Sequence, residues 1–329
     1  MTRENQKSKR VFVTRQVPGP ALDFLRQEFD CRVWEKEEIP VPRDVLLEEA
    51  SWAQGIYCML SDAIDREVIQ AAPDLEVIST MAVGFDHIDL ELARERGIVV
   101  TNTPGVLTET TADLAFALLM ATARRLMEAN RAVHRGEWKT WAPLYMAGRD
   151  IHGASLGIVG LGRIGQAMAR RAKGFDLEVY YYSRNRKEEA EEQLGIDYLP
   201  LNELLSRCDY VSLHVPATGE TRQLIGEEEL KLMKPTAILV NTARGSVVDE
   251  QALYQALKRG ELRAAGLDVF QEEPVDPAHP LLELPNVVAL PHIGSASEET
   301  RLRMARMAAE DLAAVLRGEE PSFPVTRNR

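Results

Sequence analysis

Three glycines at fixed spacing, Gly160, Gly162 and Gly165, open the chemical reading of this 329-residue chain. They follow an apolar run beginning at Ser155 and precede a helical pattern from Ile164 to Lys173, so the segment reads strand, tight turn, helix. In such a turn the first glycine allows the sharp bend. The second lets a phosphate approach the backbone, and the third lets the helix pack on the strand. Backbone N–H groups along Leu161, Gly162, Arg163 and Ile164, with the positive end of the helix dipole, then suit a pyrophosphate. A further strand is expected at Glu178 to Tyr182, which completes the context of a dinucleotide site rather than an ordinary glycine-rich turn. That strand ends in Ser183-Arg184-Asn185-Arg186. NAD sites usually carry a carboxylate for the ribose 2′-hydroxyl here, about 20 residues past the glycines. A hydroxyl and two guanidinium groups suit a 2′-phosphate instead. The expected coenzyme is NADPH, with NADH possible; the alternative is that Arg184 and Arg186 are solvated surface charges.

A second group of residues has the types needed for anion binding and proton transfer. Arg244 follows the apolar run Ile238 to Val240 and precedes Gly245, so it projects from a strand's carboxyl end, where open α/β sheets bind ligands. Its planar fork can hold a carboxylate and a neighbouring carbonyl oxygen together, although a surface arginine in a turn fits the same position. His292 stands just past the run Val287 to Leu290, between Pro291 and Gly294. A lone histidine there is more often structural. Glu273, in a proline-containing segment after another strand, would raise the histidine pKa and keep it ready to donate a proton. Val83-Gly84 offers consecutive backbone N–H groups of the kind that cradle an anion, or simply a turn that needs glycine.

These residues must be positioned by the elements between them. Short apolar runs alternate with helical stretches along the whole chain, the pattern of α/β units on parallel sheets. Strands are expected at Arg10 to Thr14, Cys31 to Trp34, Gly55 to Cys58, Glu76 to Thr80 and Ile98 to Thr101. A second set is expected at Ser155 to Gly160, Glu178 to Tyr182, Tyr210 to His214, Ala237 to Asn241, Ala264 to Asp268 and Val287 to Leu290. Between the sets, Thr108 to Met127 reads as one long helix and Arg131 to His152 as an ordered, irregular excursion. A final amphipathic helix runs from Ser297 to Leu316 and stops near Gly318.

Bulk properties bound the partners. The formal net charge of −12 argues against a general nucleic-acid binder, and no apolar run approaches the ~18 residues of a membrane span. The polar, basic start of the chain is not a secretory signal. Cys31, Cys58 and Cys208 have neither disulfide-framework nor metal-site spacing, which fits a reducing cytoplasm; no metal is expected. Cys58 reads as a buried strand residue. The many Arg and Glu residues hint at heat tolerance.

The motifs in order resemble the D-isomer-specific 2-hydroxyacid dehydrogenases, and among them glyoxylate/hydroxypyruvate reductases. The resemblance rests on Met81-Ala-Val-Gly-Phe-Asp-His-Ile-Asp89, the glycine motif, Asn241-Thr-Ala-Arg-Gly245, Gly266-Leu-Asp-Val-Phe-Gln-Glu-Glu-Pro274 and Leu290-Pro-His-Ile-Gly-Ser-Ala296. It implies two Rossmann-like lobes with parallel sheets, the coenzyme-binding domain (105–290) being inserted in a smaller, flavodoxin-like substrate domain (1–104 and 291–329). It also implies a homodimer and a small 2-oxo acid substrate. By resemblance Arg244, Glu273 and His292 are the catalytic set, with Pro274 favouring Glu273 over the adjacent Glu272. Asp268, Thr242, Ala243, Thr110 and Gly294 border the nicotinamide, and His214, Val215 and Pro216 the adenosine. Val83, Gly84 and Ser295 touch substrate. Trp141, in the irregular excursion, matches a tryptophan that reaches the neighbouring subunit's active site in such reductases, although tryptophans there also serve as packing anchors.

The expected reaction is NAD(P)H-dependent reduction of glyoxylate, hydroxypyruvate or both, to glycolate and D-glycerate, with His292 as proton donor. The alternatives are another D-2-hydroxyacid dehydrogenase (D-lactate, D-glycerate or phosphoglycerate type) or, from a different class, a dinucleotide-sensing corepressor. The absence of long tails argues against the corepressor, and the short stretch after the last helix against a regulated phosphoglycerate dehydrogenase. Glu273 in place of a glutamine argues against a formate dehydrogenase.

Overall fold

The computed structural model describes residues 9–325. The chain forms two compact units, one of residues up to Leu107 together with those from Ser297 onward, the other of Thr108–Ala296.

The first unit holds five parallel strands: β1 (Arg10–Val13), β2 (Asp30–Val33), β3 (Gly55–Cys58), β4 (Val77–Thr80) and β5 (Val99–Thr101). Their order is β2-β1-β3-β4-β5, that of flavodoxin-like sheets. β3 and β4 are buried throughout, as apolar runs covered on both faces must be. The final helix, Glu298–Leu316, returns to cover them with a face of Met304, Ala305, Ala308, Ala309, Leu312 and Leu316. Small residues let it approach closely: a Cβ at Gly55 would lie 3.2 Å from Leu316. Tyr57 and Ser79 donate their hydroxyls to the Ala305 and Ala308 carbonyls at 3.1 and 2.8 Å. Cys58 is a buried β3 residue, and burial pushes its thiol well above the ordinary range.

The second unit holds seven parallel strands: β6 (Ser155–Val159), β7 (Glu178–Tyr182), β8 (Asp197–Tyr198), β9 (Tyr210–Leu213), β10 (Ile238–Asn241), β11 (Ala264–Leu267) and β12 (Val287–Ala289). The order β12-β11-β10-β9-β6-β7-β8 reverses between β6 and β9, which makes the dinucleotide-binding topology with its switch point at the carboxyl end of β6. β6, β9, β10 and β11 are buried along their full length. β8 lies outside the expected strands, because two residues carry no readable period.

The expected single helix over Thr108–Met127 is instead two. It stops at Ala123, Arg125 adopts a left-handed conformation (φ 55°), and a new helix runs over Leu126–His134. The cause is remote in sequence. The Arg149 N–H donates to the Ala123 carbonyl at 2.9 Å, and Gly148 sits so close that a Cβ there would lie 2.2 Å from the same oxygen. The irregular excursion therefore begins after His134 rather than at Arg131. Residues 291–296, assigned above to the returning segment, pack with the second unit, because His292 and Ile293 donate their N–H groups to the backbone and side chain of Asp268, both at 2.8 Å. Among the described residues no helix is long and apolar enough to cross a membrane, and no cluster of side chains is suited to a metal.

Candidate active site

The glycine turn has the shape a dinucleotide needs. Gly160 is left-handed (φ 101°), and a Cβ there would lie 2.7 Å from the His214 backbone, so it sits where the turns after β6 and β9 meet. A Cβ on Gly165 would lie 2.2 Å from the Gly160 carbonyl oxygen, so only glycine permits the helix Arg163–Lys173 to start here. Gly162 faces open space and caps that helix without any side chain. This is the division of labour by which one glycine bends the chain, one packs it and one leaves room for phosphate. The Leu161 N–H points to the Ser183 hydroxyl at 3.4 Å. Leu161 and Gly165 are buried, Ile164 is half-buried, and Gly162 and Arg163 are exposed at the turn.

Of the residues after β7, Arg184, Asn185 and Arg186 are exposed. Arg184 pairs with Glu220 at 2.7 Å, and Arg186 with Glu191 at 2.8 and 2.7 Å. Neither carboxylate was anticipated from sequence. His214 bonds the Ser212 hydroxyl at 2.9 Å, and desolvation pulls its imidazole down to about 4, so it stays neutral beside the crevice. Val215 and Pro216 continue the chain there.

At the other end of the crevice two polar atoms are buried without partners, Oδ2 of Asp268 and Oγ1 of Thr242. Buried polar groups are nearly always satisfied, so a ligand with donor and acceptor groups, such as a carboxamide, fits them. Burial pushes the Asp268 carboxyl above its ordinary range, partly offset by the Ile293 N–H. Gly294 leaves space beside it: a Cβ there would lie 3.2 Å from Oδ2 and 3.3 Å from Thr111. Thr110 lies in the first turn of the helix Thr108–Ala123. Ala243 is buried. The turn and the orphaned atoms together suit a nicotinamide dinucleotide.

Arg244, Glu273 and His292 come from the segments that follow β10, β11 and β12, three neighbouring strands. His292 Nδ1 lies 2.6 Å from Oε2 of Glu273, whose Oε1 accepts the Phe270 N–H at 2.9 Å. Burial alone would raise the Glu273 carboxyl. The His292 contact, the Phe270 N–H and the Arg244 charge outweigh it and hold the group below its ordinary range. An ionised carboxylate can only accept, so Nδ1 carries the hydrogen and Nε2 is left to exchange protons. His292 is held in a left-handed backbone (φ 53°), uncommon for a residue with a side chain and a mark of functional sites. Asp268 imposes it through the two N–H contacts described above. Arg244 is placed by Asn241, whose side chain accepts from the Ala243 N–H at 3.0 Å and donates to the Arg244 carbonyl at 2.9 Å. Gly245 lets the turn lie against the Phe270 backbone, where a Cβ would be 1.9 Å from the Phe270 carbonyl carbon. Sequence reasoning missed the roles of Asn241 and of Asp268 as a scaffold; an Asn two residues before a tight turn is a signal that could have been read.

The other expected substrate residues divide. Ser295 is half-buried in the second unit. Val83 and Gly84 follow β4 in the first unit, half-buried, with the Val83 carbonyl taken by the Asn102 amide at 2.8 Å. Trp141 is not gathered with the catalytic set in this chain. It is 79% exposed, and Val133, Trp138, Leu144 and Tyr145 are exposed as well.

Comparison with known proteins gives matches over nearly the whole chain. Residues 116–294 match the family described as D-isomer specific 2-hydroxyacid dehydrogenase, NAD binding domain. A glyoxylate reductase of Korarchaeum cryptofilum is 55% identical over 95% of this chain and 94% of that protein. A crystal structure of a protein from Thermus thermophilus superposes with a TM-score of 0.90 at 51% identity, covering 96% of this chain and 99% of that one. An NADPH-dependent glyoxylate/hydroxypyruvate reductase from Sinorhizobium meliloti, in complex with NADP and malonate, gives 0.84 at 35% identity, covering 98% and 99%. With its parallel lobes, glycine turn and Arg-Glu-His set, the chain belongs to the D-isomer specific 2-hydroxyacid dehydrogenase family.

Proposed function

We propose that this chain is an NADPH-preferring reductase of small 2-oxo acids, glyoxylate and hydroxypyruvate first among them, working as a homodimer. The observation that carries the reading is the His292–Glu273 contact of 2.6 Å set beside Arg244 on a dinucleotide-binding lobe. The reduced dinucleotide, when bound, supplies the reducing equivalent. Arg244 binds the substrate carboxylate and carbonyl oxygen through its fork. Nε2 of His292 gives its proton to that oxygen, and Glu273 holds the imidazolium in place. Asp268 and Thr242 orient the coenzyme's carboxamide, and the Gly160–Gly165 turn its pyrophosphate.

The relatives named as glyoxylate reductases support glyoxylate as substrate, and the corepressor alternative is not favoured. Ser183 and Arg184, where NAD sites carry a carboxylate, support NADPH over NADH, while Arg186 is engaged by Glu191. The exposure of four large apolar side chains within one short segment, Trp138, Trp141, Leu144 and Tyr145, supports the homodimer, since such side chains are commonly covered at interfaces. The test is initial rates with glyoxylate and hydroxypyruvate, each with NADPH and NADH, followed at the nicotinamide absorbance. Turnover with at least one acid and faster reaction with NADPH is expected. No turnover with either acid contradicts the substrate reading, and preference for NADH contradicts the coenzyme reading.

A further inference from the structure

Arg184 and Arg186 are two residues apart, yet they have different surroundings. Arg186 gives Nε and Nη2 to both oxygens of Glu191. Glu191 also accepts from the Tyr181 hydroxyl at 2.5 Å, and that hydroxyl accepts the Lys187 N–H at 2.7 Å. Tyr181 is fully buried, so this pair is moored to the core of the lobe. Arg184 has no such mooring. It is 78% exposed and meets the 70% exposed carboxylate of Glu220 at 2.7 Å.

Glu220 reaches Arg184 from a different strand. It sits in the ordered turn after His214-Val215-Pro216, where the Thr221 hydroxyl donates to the Pro216 carbonyl at 2.6 Å and the Thr218 N–H donates to Thr221 at 2.9 Å. Arg184 follows β7 and Glu220 follows β9, and β6 lies between those strands. The ion pair therefore joins the two loops that flank the glycine turn, across the adenosine half of the crevice.

We propose that Glu220 is a specificity-determining residue for the coenzyme: its carboxylate competes with a 2′-phosphate for Arg184, and so restrains selectivity for NADPH. A dianionic phosphate must displace Glu220 or lie beside its charge, whereas a 2′-hydroxyl meets neither penalty. Arg184 is the arginine available for the phosphate; Arg186 supports the loop through Glu191. The inference rests on the NADPH reading above.

The test is direct binding. Dissociation constants for NADPH and NADH are titrated by nicotinamide fluorescence with the wild type, Glu220→Gln, Arg184→Ala and the double variant, at low and high salt. Glu220→Gln is expected to shift the ratio toward NADPH by roughly two- to fivefold at low salt, the span an exposed ion pair is worth, and less at high salt. In the Arg184→Ala background the same substitution should shift it less. A wild type that binds NADPH more tightly, with a ratio unmoved or lowered by Glu220→Gln, overturns the role of Glu220 alone. A wild type that favours NADH, with a ratio still raised by Glu220→Gln, overturns the coenzyme preference and keeps the competition.

Discussion

Oε2 of Glu273 and Nδ1 of His292 are 2.6 Å apart, and the carboxylate is held in place from behind by the Phe270 N–H. A charged acceptor on one imidazole nitrogen leaves the other directed to chemistry. The same pairing appears wherever a histidine must keep one tautomer and one orientation through a proton transfer.

Glu273→Gln should keep the shape and lose the charge. We expect kcat to fall by about 100-fold or more, because the amide neither fixes the tautomer nor steadies the imidazolium. Stability should respond to pH in a defined direction. The folded-state pKa of Glu273 is depressed, so its contribution is present above the unfolded value of about 4.3 and fades as pH falls through and below it. The Tm difference between wild type and Glu273→Gln should therefore be larger at neutral pH than in strong acid. A difference independent of pH would contradict the ionised pairing.

The glycines of the turn should separate folding from binding. Gly165→Ala drives a methyl into the Gly160 carbonyl and should cost about 1–3 kcal/mol of stability. Gly162→Ala meets nothing in the protein, so Tm should hold while coenzyme affinity drops by about tenfold, as the methyl takes the space a pyrophosphate needs. Chemical denaturation and coenzyme titration of both variants check this; equal affinity in Gly162→Ala and the wild type would place the dinucleotide elsewhere.

Asp268→Ala should damage the site through the backbone. It removes the acceptor for the Ile293 N–H, one of the two contacts that hold the left-handed His292, and leaves the backbone contact from the His292 N–H to the Asp268 carbonyl. A loss of about 1 kcal/mol in urea unfolding is expected from the half-buried donor left without its acceptor, together with a fall in kcat. Retained kcat would show that His292 does not need this scaffold.

The role proposed for Trp141 joins assembly to specificity. Sedimentation should give twice the chain mass, and Trp141→Ala should raise the KM for glyoxylate or change the preference between the two acids. A monomeric wild type, or unchanged kinetics in Trp141→Ala, would contradict this role of Trp141.

Much of the scaffold was legible because its strands are buried apolar runs: β3 and β7 have the bounds read from sequence, and the other expected strands differ by a residue or two. The glycine turn was legible because local sterics dictate it. What escaped depends on contacts between distant residues. The break at Arg125 is imposed by Arg149 and Gly148, which occupy the end of a helix whose own sequence would let it continue. Asp268 shapes His292 from 24 positions upstream, and Glu220 meets Arg184 across 36. No periodicity signals such pairings. The Asn241 bonds, which span two and three residues, were the local feature left unread.

The most direct test of the account is the single-site variant His292→Ala, assayed for glyoxylate reduction and titrated with reduced coenzyme. The account predicts a kcat lower by at least about 100-fold, the usual worth of a positioned acid, with coenzyme affinity within about twofold of the wild type. A kcat within about tenfold of the wild type would contradict it, and would mean that the proton comes from another group.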